Sequence, residues 1–310
     1  MGDKSLPLVS IITVNYNQWA VTAELLDSLR TQDYPALEVI VVDNASKTPV
    51  PADMINEYEE VRFLRSDENL GFAGGNNIGI RASNGDFLFF VNNDAEVPAG
   101  AIHRLLDLYQ EVPDLGAVSP LLCYYNENPG QAPDLIQYAG TTYVHPLTAR
   151  NRTLGEKEPD RGQFSSPKPT AYVHGAAMMI PRSVIERVGL MPENFFLYYE
   201  ELDWSEQMRR AGYSLYIEPR AKIYHKESLS VGAQSTLKTY YLNRNRILFM
   251  RRNQGRLHFA AFAVFWALVT LPKQIFSFAI KGKWAHIRSF WKATIWHFSH
   301  SSGKYQAARA

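Results

Sequence analysis

Apolar residues follow two different periodicities in the first ninety residues of the chain. Four short runs, rich in β-branched and aromatic residues, have the length and composition of buried strands. They are LVSIITVNY, LEVIVVDNAS, VRFLRS and DFLFFVNND. Between the first two runs, residues 19–32 carry apolar side chains at helical spacing, and a shorter helix is expected over residues 78–82. This repetition of strand and helix predicts a mostly parallel sheet covered by helices.

The next part of the chain is less regular. Residues 123–170 are rich in Pro, Asn, Gly and Gln, and we expect them to form loops and short strands that contribute to an acceptor site. A helix over residues 201–211, ended by Gly212, and a strand over residues 214–225 follow. The pattern therefore predicts one α/β domain that ends close to residue 227.

Polar side chains follow three of the predicted strands at their carboxyl ends. Asn15, Asp43 and Asp94 each stand directly after an apolar run. Ligands of open α/β sheets bind in the crevice outside such strand ends. Asn and Asp also form turns after strands, which accounts for each residue taken alone. Three of them on the same edge of one sheet favour a binding cleft.

Asp94 is a candidate ligand of a divalent cation. Magnesium-like ions are commonly held by one or two protein carboxylates, with substrate phosphates completing the coordination. By itself an Asn-Asn-Asp triplet is more often a turn. His225, at the end of the last predicted strand, is either a packing residue or a second ligand. A nitrogen ligand favours manganese over magnesium.

A second acidic group lies at the predicted start of a helix, among aromatic residues. It consists of Glu200, Glu201 and Asp203. The helix dipole alone explains carboxylates at this position, with about 0.3–1 kcal/mol of stabilisation each. A carboxylate among aromatic rings is also partly desolvated, which raises its proton affinity and suits it to act as a general base. We therefore expect a catalytic base in this group.

Taken together, these motifs resemble the inverting glycosyltransferases of family 2, which have the GT-A fold, and in particular their rhamnosyltransferase-like branch. The resemblance covers residues 7–252 and rests on five segments. These are VSIITVNYNQ, VVDNAS, NLGFAGGNNIGIRASNGDFLFFVNND, HGAAMMIPRSVIERVG and FFLYYEELDWSEQMRRAGY. It implies a Rossmann-like α/β domain over residues 1–227, in which a nucleotide-sugar half to about residue 122 precedes an acceptor and base half over residues 123–227.

The resemblance also implies roles for particular residues. Those that would bind the donor nucleotide sugar lie in the first half: Thr13, Asn15, Asp43, Asn69, Gly71, Asn77, Asn93 and Asp94. Asp94 and His225 would hold Mn²⁺ or Mg²⁺, and Glu201 would be the catalytic base, ahead of Asp203 and Glu200. Candidate contacts to the acceptor or to phosphate are His174, Trp204, Arg244 and Arg246.

The chain departs from the family pattern at positions that bear on the chemistry. Asn92 and Asn93 precede Asp94, so the family's D-x-D motif retains one carboxylate and an amide would contact the ribose. Glu201 stands where many members have Asp, and Asn76 stands where relatives often have Arg. The single carboxylate keeps open an alternative, a non-catalytic relative that binds a nucleotide sugar or a glycan.

The implied reaction is a single displacement with inversion at the anomeric carbon. Glu201 would take the proton of an acceptor hydroxyl, and the metal would neutralise the departing nucleoside diphosphate. The rhamnosyltransferase branch suggests rhamnose, a dTDP- or UDP-sugar donor, and a saccharide or lipid-linked saccharide acceptor. Such a reaction belongs to cell-surface polysaccharide synthesis, for example of lipopolysaccharide. The residues themselves name neither the donor sugar nor the acceptor.

Charge is distributed unevenly along the chain. The net charge is +1, yet residues 1–227 carry −12, while residues 228–310 hold 13 Lys and Arg and no Asp or Glu. Residues 257–272 contain no Lys, Arg, Asp or Glu, but as a helix they rise about 24 Å, short of the roughly 30 Å bilayer core. Pro272 and Lys273 are expected to interrupt this helix. The basic, aromatic-rich helical tail over residues 228–310 is therefore expected to lie on an anionic membrane surface.

The tail and the whole chain are open to other interpretations. The tail could instead pack on the body or on a second copy in a homodimer. A nucleic-acid partner is disfavoured because no binding module is recognisable. A nucleotidyltransferase is disfavoured because VNYNQWAV lacks a loop rich in Gly and Arg, and a processive synthase because long membrane spans are missing. The single cysteine, Cys123, and the lack of a secretory signal predict a cytoplasmic protein, peripheral at the inner face of the cell membrane.

Overall fold

The computed structural model describes residues 6–126, 133–226 and 235–300. Within these residues the chain forms ten strands of one sheet and ten α-helices. The strands are β1 (Val9–Asn15), β2 (Leu37–Asp43), β3 (Val61–Arg65), β4 (Phe87–Val91), β5 (Ala95–Glu96), β6 (Leu115–Tyr124), β7 (Ile136–Tyr138), β8 (Lys168–Pro169), β9 (Ala177–Pro181) and β10 (Ser214–His225). The helices are α1 (Trp19–Arg30), α2 (Ala52–Glu57), α3 (Gly71–Ala82), α4 (Ala101–Glu111), α5 (Arg182–Val188), α6 (Glu200–Arg210), α7 (Thr236–Asn253), α8 (Arg256–Phe265), α9 (Leu271–Ala279) and α10 (Trp284–Ser299).

The sheet is mostly parallel, as the sequence predicts. Its main strand order is β3-β2-β1-β4-β9-β6-β10-β5. The pairs β2–β3, β1–β2, β1–β4 and β6–β10 are parallel, whereas β9 runs antiparallel to both β4 and β6. The expected α/β class is therefore confirmed. Because β9 is reversed, its first residues lie at the same edge of the sheet as the carboxyl ends of β1, β4 and β10.

Two hydrophobic layers cover the sheet because successive residues of a strand point to opposite faces. Ile11 and Phe89 belong to one buried cluster with α1 and α4. Ile12 and Phe90 belong to another with α3, α5 and α6. The continuous apolar runs of the sequence thus reflect strands that are buried on both faces.

Helix α3 is longer than the sequence analysis expects, since it begins at Gly71 instead of near residue 78. Its glycines allow close packing on β1. A Cβ at Gly75 would lie 2.8 Å from a methyl group of Val14, and one at Gly79 would lie 2.4 Å from a methyl group of Ile12. The helix signal is weak in the sequence because these glycines are poor helix formers. Their position is decided by contact with the sheet.

The C-terminal helices pack on the body and form a third hydrophobic cluster. It joins Tyr172 and Phe195 of the body to three residues of the tail, which are Phe249 of α7, Trp266 after α8, and Phe290 of α10. The expected boundary between body and tail lies in residues 227–234, outside the described residues. Within the described part of the chain, the tail therefore shares a core with the body.

The expectation that Pro272 interrupts the apolar helix is wrong. A continuous helix, Arg256–Ala279, runs through it for 24 residues. The π-helical turn Trp266–Thr270 joins α8 to α9, and Pro272 stands at the start of α9. A proline is tolerated at the beginning of a helical segment, where its missing N–H costs little, and the change of hydrogen-bond pattern in the preceding turn accommodates it.

Candidate active site

The polar residues predicted at strand ends meet along one edge of the sheet. Asn15 ends β1, Asp43 ends β2 and Asp94 follows β4. His225 ends β10 and pairs with Ala95, the residue after Asp94. Backbone pairing alone therefore brings the two candidate metal ligands together.

Asp94 and His225 are in direct contact. Asp94 Oδ1 lies 3.0 Å from His225 Nε2, and both side chains are buried. His225 Nδ1 lies 2.8 Å from Gln137 Oε1, and the amide of Asn92 lies 3.2 Å from Nε2. Because the Gln137 oxygen can only accept, Nδ1 carries a proton, and Nε2 lies between the Asp94 carboxylate and the Asn92 amide.

This arrangement has the chemistry of a cation site. With a proton on Nδ1, His225 can offer the Nε2 lone pair to a cation beside Asp94 Oδ1, which lies 3.0 Å away. Mixed oxygen and nitrogen donors suit a manganese-type ion, and Gln137 orients the histidine from behind as outer partners of metal ligands do. The residues present therefore fit a divalent cation held by Asp94 and His225.

A second group of possible ligands does not fit a metal. Cys123, Asp134 and Asp160 bring their ligand atoms within 4.8 Å of one another. Lys222 Nζ, however, lies 3.0 Å from Asp134 and 2.7 Å from Asp160, so the protein supplies the cation itself. Burial raises the pKa of Cys123 to about 12, which keeps it a thiol and a poor ligand.

The predicted donor residues at the ends of β1 and β2 form one hydrogen-bonded network. The amide of Asn15 donates to Ser46 Oγ and accepts from Thr22 Oγ1, each at 3.1 Å. Asp43 accepts from the Ser46 N–H at 2.9 Å and forms an ion pair with Arg65. These side chains fix the shape of the loops at this edge.

Two further donor candidates lie beside this network. Asn93 Nδ2 donates to Thr22 Oγ1 at 3.1 Å. Thr13 Oγ1 is buried and has no hydrogen-bond partner within the part of the chain that the structure describes. Both side chains therefore lie in the wall of the same edge, next to Asn15.

Gly71 and Asn77 connect the first half of the chain to the segment that precedes α6, and Asn69 supports Gly71. Asn69 Oδ1 accepts from the Gly71 N–H at 2.9 Å. A Cβ at Gly71 would lie 2.0 Å from the carbonyl oxygen of Phe196, so that only glycine allows this approach. The amide of Asn77 bonds to both backbone groups of Met191, at 2.9 and 3.0 Å. In this structure these three residues hold loops together.

The segment before α6 has an unusual backbone. Phe196, Tyr198 and Tyr199 have φ values of 64°, 69° and 78°, in the left-handed region that favours glycine. Each such residue costs on the order of 1–3 kcal/mol and persists only when its surroundings hold it. Glu201 follows this segment, in the first turn of α6, and its side chain faces Gly175. A Cβ added at Gly175 would lie 3.8 Å from the Glu201 carboxyl carbon.

Glu201 has the properties of a general base. Burial raises the pKa of Glu201 to about 7, although backbone N–H groups at the start of α6 lower it in part. A carboxylate with a pKa near neutrality can accept a proton at neutral pH and still bind it well. Glu201 is also partly exposed, so an acceptor hydroxyl can reach it.

The neighbouring carboxylates have different surroundings. Glu200 is buried, and its pKa lies well above the usual range because of burial and the adjacent Glu201. Asp203 is 1% exposed and accepts hydrogen bonds from Arg252, Asn253 and Gln207. Of these three carboxylates Glu201 alone is partly exposed, whereas Asp203, expected second, is 1% exposed and Glu200, expected third, is 3% exposed.

His174 lies between the candidate base and the candidate metal ligands. Its ring centroid is 6.5 Å from that of His225, and the next residue, Gly175, faces Glu201. Burial lowers the pKa of His174 to about 3, with His225 contributing, so the ring is neutral. Nδ1 accepts from the Ala176 N–H at 3.1 Å, which leaves the proton on Nε2 as a fixed donor.

The other acceptor-side candidates do not line the cleft in the same way. Trp204 is fully buried, contacts Phe90 and donates its indole N–H to the Gly189 carbonyl at 2.9 Å. Arg244 is buried and donates to the Phe195 carbonyl at 2.6 Å. Arg246 donates to Tyr199 Oη at 3.3 Å. The structure thus places Trp204 in the core and the two arginines behind the segment that precedes α6.

Two residues of the site are missed by the sequence analysis. Gln137 lies in the irregular stretch after β6, where no periodic pattern singles it out. Asn245 is fully buried on α7 and donates to three carbonyl groups of the strained segment. The sequence gives little signal for Asn245, because it stands between Arg244 and Arg246 in NRNRILFM, a pattern that also fits a solvated helix face.

The sequence of this chain matches a known protein family. A family model described as glycosyl transferase family 2 matches residues 10–189, more than half of the chain. The chain therefore belongs to glycosyl transferase family 2. It is a glycosyltransferase that takes a sugar from a nucleotide-sugar donor, and the family resemblance noted in the sequence is confirmed.

Two relatives match most of the chain. The low-salt glycan biosynthesis hexosyltransferase Agl10 of Haloferax volcanii is 28% identical over 250 residues, 77% of this chain and 74% of the relative. The N-acetylglucosaminyl-diphospho-decaprenol L-rhamnosyltransferase of Mycobacterium tuberculosis is 25% identical over 242 residues, 73% of this chain and 78% of the relative.

A solved structure shares the fold. The mannosyltransferase PcManGT from Pyrobaculum calidifontis, determined with GDP-Man and Mn²⁺, aligns with a TM-score of 0.57 and 18% identity. The alignment covers 96% of this chain and 77% of that one. The fold is therefore GT-A-like, as the resemblance implies, with C-terminal helices added.

The contact between Gln137 and His225 leads to a prediction for metal binding. Gln137→Leu removes the acceptor that fixes the histidine tautomer, and we expect Mn²⁺ affinity to fall about 10- to 100-fold. Electron paramagnetic resonance of free Mn²⁺, titrated with protein in the presence of UDP, measures this affinity. Gln163→Leu, at an exposed glutamine, is the matched control. Equal affinity of Gln137→Leu and wild type would contradict the assignment.

Proposed function

We propose that the protein is an inverting, metal-dependent glycosyltransferase in which Glu201 is the base and Asp94 and His225 hold the divalent cation. One observation carries the proposal: Glu201, a carboxylate with a raised pKa, and the buried Asp94–His225 pair lie on either side of His174 and Gly175. Mn²⁺ in the PcManGT structure, which has the same fold, supports the metal.

The reaction follows from these positions. Glu201 accepts the proton of the acceptor hydroxyl as its oxygen forms a bond to the anomeric carbon. The bond from that carbon to the diphosphate oxygen breaks on the opposite face, and the nucleoside diphosphate leaves with the electron pair. Assistance by a general base is typically worth about 10²–10⁴-fold in rate. A divalent cation bound at Asp94 and His225 supplies charge neutralisation for the leaving diphosphate.

Asn15, Asp43 and Thr13 are the proposed contacts to the donor nucleotide. They line the edge of the sheet where ligands of α/β folds bind, and their loops are held by hydrogen bonds before any ligand arrives. Asn69, Gly71, Asn77 and Asn93 complete the expected set. They support this half through the loop contacts described above.

Rhamnose is the proposed sugar, with dTDP or UDP as its carrier. The support is the M. tuberculosis relative, whose name gives an L-rhamnosyl donor group and a polyprenyl diphosphate-linked acceptor. By the same likeness the acceptor is a saccharide on a lipid diphosphate, in cell-surface polysaccharide synthesis. His174, with its fixed Nε2 donor, is the proposed contact to acceptor or phosphate in the cleft.

The C-terminal helices are proposed to bring the enzyme to an anionic membrane surface. On α10 the exposed large apolar residues fall on one face: Trp284, Trp291, Ile295 and Phe298. The helix Arg256–Ala279 exposes Leu257, Val264, Leu268 and Phe276. Basic residues accompany both helices, and acidic residues are absent from the sequence after Glu227. Apolar, tryptophan-rich and basic helices bind at the interface of anionic bilayers.

The proposal is that these helices lie on the membrane and do not span it. The helix Arg256–Ala279 is about 36 Å long, enough by length to cross the hydrocarbon core. Its inner face, however, is packed: Trp266 is 4% exposed and stacks on Phe290 of α10 at 5.6 Å, within the cluster that also holds Tyr172 and Phe195 of the body. A helix that shares a core with the catalytic domain can present only its outer face to lipid.

A donor screen tests the proposed reaction. We expect purified protein with Mn²⁺ to release nucleoside diphosphate slowly from one donor among dTDP-rhamnose and the common UDP- and GDP-sugars. Asp94→Ala and Glu201→Gln should each lower turnover with acceptor by about 10²–10⁴-fold. Since Glu201 acts as a carboxylate and its pKa is raised to about 7, turnover should fall as the pH drops below 7.

The controls separate the enzyme from a binding protein. Glu60→Gln, at an exposed carboxylate that pairs with Arg30, should leave turnover unchanged. The protein would be a non-catalytic binding protein if it bound one nucleotide sugar but turned over no donor in the presence of a lipid-linked acceptor.

Vesicle binding tests the proposed membrane surface. The wild type should sediment with phosphatidylglycerol-containing vesicles and much less with pure phosphatidylcholine. Leu268→Glu combined with Trp291→Glu should weaken binding about 10-fold or more, because two charges would enter the apolar layer. Ile55→Glu, at an apolar residue of α2 that is 45% exposed, is the control. A dimer in sedimentation velocity that the double variant abolishes, without vesicle binding, would assign this face to a second copy instead.

A further inference from the structure

The strained segment that leads into the base-bearing helix is held mainly by α7. Asn245 Nδ2 donates to the carbonyl groups of Phe195, Leu197 and Tyr198 at 2.9, 2.7 and 2.8 Å. The Asn245 side chain is fully buried. The two N–H bonds of one amide are thus shared among three carbonyls of a backbone that would otherwise relax out of the left-handed region.

Arg244 fixes the orientation of this amide. Its Nε donates to Asn245 Oδ1 at 2.7 Å, so the NH₂ end of the amide must face the segment. Its Nη2 donates to the carbonyls of Asn194 and Phe195, at 3.0 and 2.6 Å. The two adjacent side chains therefore hold the segment from residue 194 to residue 198.

Further along α7, other side chains hold the residues that follow. Arg246 donates to Tyr199 Oη, and the ring of Phe249 lies 5.7 Å from that of Tyr199. Arg252 binds both oxygens of Asp203 at 3.0 Å. Helix α7 thus contacts the chain on both sides of Glu201, although it lies outside the residues that the family model matches.

We propose that Asn245 is a positioning residue for the catalytic base. It acts by holding carbonyls within residues 195–198, so that α6 starts at Glu200 and the Glu201 carboxylate is directed to the acceptor hydroxyl. The inference rests on the proposed role of Glu201 as the base. It assigns to α7 a part in the chemistry and not only in the stability of the fold.

The first test compares two asparagines of the same helix. Asn245→Ala removes all three hydrogen bonds to the segment, and we expect kcat to fall about 10- to 100-fold, since small displacements of a catalytic group have such effects. KM for the donor and the affinity for UDP should stay within about two-fold, because the donor residues lie on other elements. Asn243→Ala is the control, since the Asn243 amide donates to Thr239 of its own helix.

A purely structural role predicts a different result. If kcat, donor KM and UDP affinity all worsen together in proportion to the folded fraction measured by circular dichroism, the proposal is overturned. Should Asn245→Ala not fold, Asn245→Ser retains one donor, and its kcat should fall by an intermediate amount with UDP affinity unchanged. An unchanged kcat in either folded variant also overturns the proposal.

A double-variant cycle tests whether Asn245 acts through Glu201. Asn245→Ala should add less than about two-fold to the loss caused by Glu201→Gln, because the group it positions is already disabled. Independent, multiplicative losses would overturn the proposal. Failure of the proposed function looks different: the wild type would show no turnover, or Glu201→Gln would leave it unchanged.

Discussion

The position of Glu201 depends on a stretch of backbone, residues 194–199, that cannot keep its shape alone. On one side the Phe72 N–H donates to the carbonyl of Phe196 at 2.8 Å, an approach that requires glycine at position 71. On the other side Asn245 binds three carbonyls of the stretch. Three parts of the chain that are distant in sequence therefore fix one carboxylate.

The sheet fixes the other half of the site by simpler means. The antiparallel pairing of β5 with β10 sets His225 opposite Ala95, and so beside Asp94. A side chain then orients the histidine ring: Gln137 accepts the Nδ1 proton, which leaves Nε2 of His225 on the side of Asp94. A rigid sheet edge suits the proposed donor and metal side, whereas the stretch held by α7 serves the proposed base, which must be placed to within a fraction of an ångström.

Sequence periodicity predicts the sheet, its parallel strands and the common edge of Asn15, Asp43 and Asp94, because these features depend on residues close in the chain. It cannot distinguish among the three acidic residues in the first turn of α6, which are Glu200, Glu201 and Asp203. Burial and distant partners distinguish Glu201 from Asp203, whose partner Arg252 is on α7. Asn245 and Gln137 escape prediction for the same reason, since their partners are remote. The apolar helix through Pro272 is mispredicted because a π-helical turn, invisible in the periodicity, accommodates the proline.

The most direct test of the central claim, a one-step displacement with Glu201 as base, is the anomeric configuration of the product. Proton NMR during hydrolysis of the preferred donor, recorded before the released sugar mutarotates, reports the anomer that forms first. A water molecule activated by Glu201 should give the anomer opposite to that of the donor, and Glu201→Gln should slow its formation. Release of the retained anomer would contradict a single displacement and the assignment of Glu201 as its base.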